Sequence, residues 1–148
     1  MISRAEATRR ILAAREASGI TFRQIAEHIG HDPVWTTSAL LGQQVMDASE
    51  ADAVSELLGL DPDVSAALQR HPDKGSLDPV TPTDPLIYRF YEIVQVYGTT
   101  LKSLIEEEFG DGIMSAIDFE MHVDRKEDPK GDRVVVTLDG KFLPYRKW

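Results

Sequence analysis

PTDPLIYRFYEIVQVYGTTLKSLIEEEFGDGIMSAIDF, residues Pro82–Phe119, is the stretch on which the fold turns. It opens as a helix should. Asp84 can accept from backbone N–H groups as a cap, and Pro85 suits a first helical position that needs no N–H partner. The apolar residues that follow, Leu86, Ile87, Phe90, Ile93, Val94, Val96, Leu101, Leu104 and Ile105, do not fit on one stripe, and Tyr88, Tyr91 and Tyr97 fill much of the remaining surface. A helix apolar nearly all round has to be covered nearly all round. Two charges, Arg89 and Glu92, interrupt it at i, i+3, a spacing that lets them touch. An ion pair in apolar surroundings carries a desolvation cost, so its presence asks for a reason.

Downstream, Gly110 is a natural helix stop, and Asp111-Gly112 turns the chain. From Ile117 the period becomes two: Ile117, Phe119, Met121 and Val123 alternate with Asp118, Glu120, His122 and Asp124, which predicts a strand with one buried face. Asp128–Asp132 (DPKGD) reads as a turn and 133–138 as a second strand. Asp139-Gly140 reads as a tight turn, with a short third strand over 141–143. A helix and a small antiparallel sheet of about 65 residues cannot cover such a helix alone, so neighbouring subunits are expected to do so.

Upstream, the spacing predicts short helices only. Ser3 can cap the first, which Gly19 ends. Thr21 starts a second with Phe22, Ile25, Ala26 and Ile29 as its stripe, and Gly30 stops it. A third runs over 34–41 and ends at Gly42. The second and third, joined by a glycine-containing turn, resemble a helix-turn-helix. Asp47 or Ser49 opens a fourth, and Asp61-Pro62 a fifth. His71–Asp84 (HPDKGSLDPVTPTD) is the clearest hinge, which divides the chain into a helical domain, 1–75, and a second domain, 76–148.

Charge and composition narrow the function. The net charge is −9, which repels nucleic acid and anionic membranes on average. Residues 1–82 hold 7 basic against 12 acidic residues, and 31–42, the would-be recognition segment, has neither Lys nor Arg. Phosphate contacts are then missing where a DNA reader needs them, so the helical domain is expected to pack rather than bind DNA. No apolar run approaches the ~20 residues of a membrane span, and the charged N-terminus has no apolar segment behind it, so no secretory signal is expected. Without cysteine there is no disulfide or thiolate chemistry, and a cytoplasmic location is expected.

Candidate sites are few. His28 and His31 lie i, i+3 beside Asp32, but no third ligand has a fixed register, and no metal is expected. There is no Gly-rich phosphate loop and no GxSxG elbow. Ser115 has no His or Lys placed by sequence to make it a nucleophile. Arg89 and Glu92 read either as a structural ion pair at a subunit contact or as functional groups.

The stretch YRFYEIVQVYGTTLKSLIEEEFGDGIMSAIDF resembles the signature of the cyanase (cyanate hydratase, cyanate lyase) family. The resemblance extends back to Ala39–Gln44 (ALLGQQ) and Pro82–Pro85 (PTDP), and forward to Val136–Pro144 (VTLDGKFLP). It covers most of the chain and is weakest over the first twenty residues. Lys74 departs from the Arg expected in many relatives. The resemblance implies an α+β fold. An N-terminal helical unit like a DNA-binding domain precedes an intertwined dimerisation unit in a homodecamer with active sites between subunits. It implies a carbon–oxygen lyase that decomposes cyanate with bicarbonate as co-substrate, through carbamate, to ammonia and carbon dioxide, with no metal or organic cofactor. The family's catalytic Arg, Glu and Ser map onto Arg89, Glu92 and Ser115. The competing reading is a helix-turn-helix transcriptional regulator whose second half only dimerises.

Overall fold

The computed structural model describes residues 1–72 and 82–148. Most of the hinge expected over 71–84, the domain boundary placed in it and the Lys74 position lie outside the described residues. Among the described residues six helices precede two strands: α1 Arg4–Ser18, α2 Phe22–Ile29, α3 Pro33–Leu40, α4 Ala48–Leu58, α5 Pro62–Leu68, α6 Pro85–Phe109, β1 Gly112–Lys126 and β2 Arg133–Pro144. The chain forms two compact units. One is Met1–Ser76 with Met121–Val136, the other Leu77–Glu120 with Thr137–Trp148.

In the first unit the helix starts follow capping chemistry. Ser3, Thr21, Asp32 and Asp47 accept from the backbone N–H of Glu6, Gln24, Val34 and Glu50, and the caps at Thr21 and Asp47 are reciprocal boxes with Gln24 and Glu50. Gly30 ends α2 at φ 74°, a left-handed conformation that suits glycine. The apolar stripes meet in one core, with Ile11, Ile25, Leu40, Val54, Val64 and Leu68 fully buried. Each such side chain contributes roughly 1.5–3 kcal/mol on leaving water. Between α3 and α4, Met46 is buried and its N–H donates to Leu68 O at 3.1 Å, tying that connection to α5. The distal end of the hairpin packs here as well. Arg23 Nη2 donates to Val123 O at 2.6 Å, and His122 Nδ1 lies 2.9 Å from Asp32 Oδ2.

In the second unit α6 runs 25 residues without one buried residue. The expected strand begins five residues earlier than its alternation suggested, at Gly112, and its apolar face is covered unevenly: Phe119 and Met121 are half-buried, whereas Ile117 is 98% exposed. The expected turn at 128–132 is present, with Gly131 N–H donating to Asp128 O at 2.9 Å and Lys130 N–H to Asp128 Oδ1 at 2.8 Å. The expected tight turn at Asp139-Gly140 and the third strand are corrected. β2 continues unbroken from Arg133 to Pro144, and the sheet has two strands. Gly140 does not adopt positive φ. Its glycine answers a close approach instead, because a Cβ there would lie 2.5 Å from Ser115 O and 2.5 Å from Met114 Cγ.

Candidate active site

α6 positions Arg89 and Glu92. Asp84 Oδ1 accepts from the N–H groups of Leu86 and Ile87, both at 2.9 Å, and so fixes the first turn. One turn on, Arg89 Nη1 donates to Glu92 Oε2 at 2.6 Å, as the i, i+3 spacing requires. The Arg89 guanidinium carbon also lies 5.5 Å from the Tyr88 ring centroid, and the Tyr88 and Tyr91 rings are 6.0 Å apart. In the isolated chain the Arg89 and Glu92 side chains are 59% and 46% exposed. The apolar burial expected around the pair is therefore not supplied by this chain. Glu92 engages one N–H of a guanidinium that has five, so Arg89 keeps donors and its planar fork for an anion.

Ser115 sits in β1. It is 5% exposed, and it is the only buried residue of the second unit among the described residues. Its Oγ accepts from the N–H groups of Ile117 and Asp118, both at 3.0 Å. Both bonds use oxygen lone pairs, so the hydroxyl proton remains to be donated. Among the described residues Ser115 makes no hydrogen bond to Arg89 or Glu92. Sequence reasoning missed Gly140, which holds β2 against the Ser115 carbonyl. The available signal was a glycine inside an otherwise continuous strand pattern. Gly112 does the same at the other end of this segment, where a Cβ would meet Leu143 O at 2.5 Å.

Of the two histidines considered for a metal, His31 is engaged elsewhere. His31 Nε2 bonds Glu50 Oε1, and its ring lies 4.5 Å from that of Trp35. Among the described residues no group of three or more His, Asp or Glu could hold a metal ion, and no helix is long and apolar enough to cross a membrane. Partial burial works against ionisation of Asp32. The N–H groups of Val34 and Trp35 and the His122 ring outweigh it, and hold the carboxyl below the usual aspartate range.

Two family models match the chain, "Cyanate hydratase, N-terminal" over residues 4–72 and "Cyanate lyase C-terminal domain" over residues 79–147. The chain belongs to the cyanate hydratase family. It is 60% identical to the cyanate hydratase of Synechococcus sp. (strain CC9311) over 141 residues, which are 95% of this chain and 94% of that protein. The cyanate hydratase of Cupriavidus necator is 53% identical over 147 residues, 99% of this chain and all of that protein. The crystal structure of cyanase from T. urticae superposes with a TM-score of 0.82 at 40% identity, covering 93% of this chain and 96% of that one. This cyanate hydratase fold thus places the Arg89–Glu92 pair on its longest helix and Ser115 on the strand that follows it.

Proposed function

We propose that the chain is a cyanate lyase that condenses cyanate with bicarbonate and releases ammonia and carbon dioxide. The observation that carries this reading is the Arg89–Glu92 pair, 2.6 Å apart on an otherwise apolar helix, with a hydroxyl that can still donate at Ser115. A bicarbonate oxygen attacks the cyanate carbon, forming one C–O bond and a dianion. Loss of carbon dioxide leaves carbamate, which breaks its C–N bond to give ammonia and a second carbon dioxide. One cyanate, one bicarbonate and two protons balance one ammonia and two carbon dioxide. Bringing two anions together is the electrostatic difficulty. Arg89 meets it with a permanent charge and parallel N–H donors aimed at developing oxyanions. Glu92 orients the guanidinium, and Ser115 donates to a substrate oxygen. Bicarbonate brings a proton with it, so no strong protein acid, metal or organic cofactor is required.

The same reading includes assembly. The exposed apolar side chains of α6, with Leu86, Phe90, Val94, Val96, Leu101 and Leu104 among them, form a surface far beyond what a soluble monomer tolerates. We assign it to contacts between copies in a homodecamer built from intertwined dimers, with active sites completed between subunits. Residues 76–148 form the catalytic and dimerisation domain, and residues 1–75 a helical domain. The two family matches, which end at 72 and begin at 79, support that division. The helix-turn-helix resemblance of α2 and α3 is one of packing, because α3 carries no Lys or Arg. The cysteine-free chain suits the cytoplasm. The test is ammonia release from cyanate. Release that depends on added bicarbonate and is inhibited far better by oxalate than by acetate supports the dianion mechanism, whereas bicarbonate-independent release refutes it.

A further inference from the structure

The first unit contains a cavity of about 670 Å³, lined by Ser3, Arg4, Thr8, Leu41, Arg70 and His71 among others. None of Arg89, Glu92 or Ser115 belongs to it. Two guanidinium groups meet there. Arg4 Nη1 donates to Ala67 O at 3.0 Å and Arg4 Nη2 to Gln44 O, while Arg70 Nη2 donates to Ile2 O. All three acceptors are neutral carbonyls, so these bonds hold the cations without balancing them. The Nε of each arginine is buried without a hydrogen-bond partner among the described residues. Among the described residues lining the cavity there is no Asp or Glu.

This arrangement runs against the composition. A chain of net charge −9 has put two arginines and a histidine around one hollow, with no carboxylate among the described residues that line it. Like charges that share a partly desolvated space repel. Burial, and then the field of Arg70, pull the Arg4 pKa below the usual arginine range. The start of the 15-residue α1 opens on the same hollow and adds its positive end. Structural bracing explains Arg4, whose Nη1 meets a carbonyl at the end of α5. Arg70 likewise braces Ile2 O, but through one N–H only, and that bond to a neutral carbonyl leaves its charge unbalanced.

We propose that this cavity is a second anion site, separate from the catalytic pair, that takes a compact oxyanion of the phosphate class. Arg70 faces the ligand with the N–H groups it does not spend on Ile2, His71 adds a donor, and Arg4 supplies fixed charge. Bound there, the anion would brace the N-terminal turn of α1 against the end of α5.

The test uses the wild-type full-length protein and inorganic phosphate. Arginines are modified with phenylglyoxal, with and without phosphate at matched ionic strength set by chloride, and each is followed by peptide mass spectrometry. Phosphate is expected to slow modification of Arg70 at least fivefold, whatever it does at Arg89. A phosphorus NMR titration of Arg70→Gln is expected to show at least tenfold weaker binding at this site, with Arg70→Lys between it and wild type. Protection confined to Arg89 overturns the proposal. So does an Arg70 that is unreactive in both conditions, or an Arg70→Gln variant that binds phosphate as the wild type does. Because the protection experiment needs no substitution, the proposal stays testable if Arg70→Gln fails to fold.

Discussion

Replacing Gly140 with alanine tests how the hairpin holds Ser115. The added Cβ would lie 2.5 Å from Ser115 O, 2.5 Å from Met114 Cγ and 3.2 Å from Phe119 Cδ2. Carbon and carbonyl oxygen normally approach to about 3.3 Å, so the overlap with the backbone is about 0.8 Å. The Met114 side chain can move aside, but the Ser115 carbonyl cannot move without separating β1 from β2. We expect a loss of about 3 kcal/mol, the upper part of the range for over-packing. For a chain of this size that corresponds to a melting point lower by roughly 6–12 °C. Cyanate turnover should fall at least tenfold at temperatures where the variant remains folded, since the displaced carbonyl belongs to the serine whose hydroxyl we assign to substrate. The assay pairs thermal melts at fixed protein concentration with ammonia release. Gly140→Asn separates this explanation from the turn read in the sequence. Asparagine tolerates left-handed turn conformations, so a turn would accept it better than alanine. A close approach makes it at least as damaging. A Gly140→Asn variant closer to wild type than Gly140→Ala, or an alanine variant with normal melting and turnover, refutes the reasoning.

Arg89→Lys keeps the charge but loses the planar fork, and should reduce turnover by two orders of magnitude or more while leaving the assembly size unchanged; near-normal ammonia release would show that bidentate geometry is not needed. Light scattering should find an obligate oligomer, because α6 has no buried residue within the chain, and a stable, active monomer would contradict this. Asp32 titrates below the ordinary aspartate value of about 4, so its stabilisation is complete above that pH and is lost as pH falls through the lower folded value. The melting point should therefore drop more steeply between pH 5 and pH 3 in wild type than in Asp32→Asn, which keeps a capping side chain but loses the charge facing His122; parallel curves would remove Asp32 from the acid response.

Local chemistry made much of this protein legible in its sequence. Ser3, Thr21, Asp47 and Asp84 cap the helices that their positions announce, because capping is settled within three or four residues. The Arg89–Glu92 contact follows from helix geometry alone for the same reason. Gly140 shows where such reasoning stops. Asp-Gly has strong turn preferences of its own, yet here the pair stays extended, because what excludes a side chain is the carbonyl of Ser115, 25 residues earlier in the chain and adjacent only across the sheet. The contacts of Asp32 with His122 and of Arg23 with Val123 are equally invisible to periodicity. So is the convergence of Arg4 and Arg70, at opposite ends of the helical segment, on one hollow. Caps and i, i+3 pairs depend on backbone geometry that a few neighbouring residues specify. Close approaches and clustered charges depend on which distant segments the core draws together, and only the tertiary structure decides that.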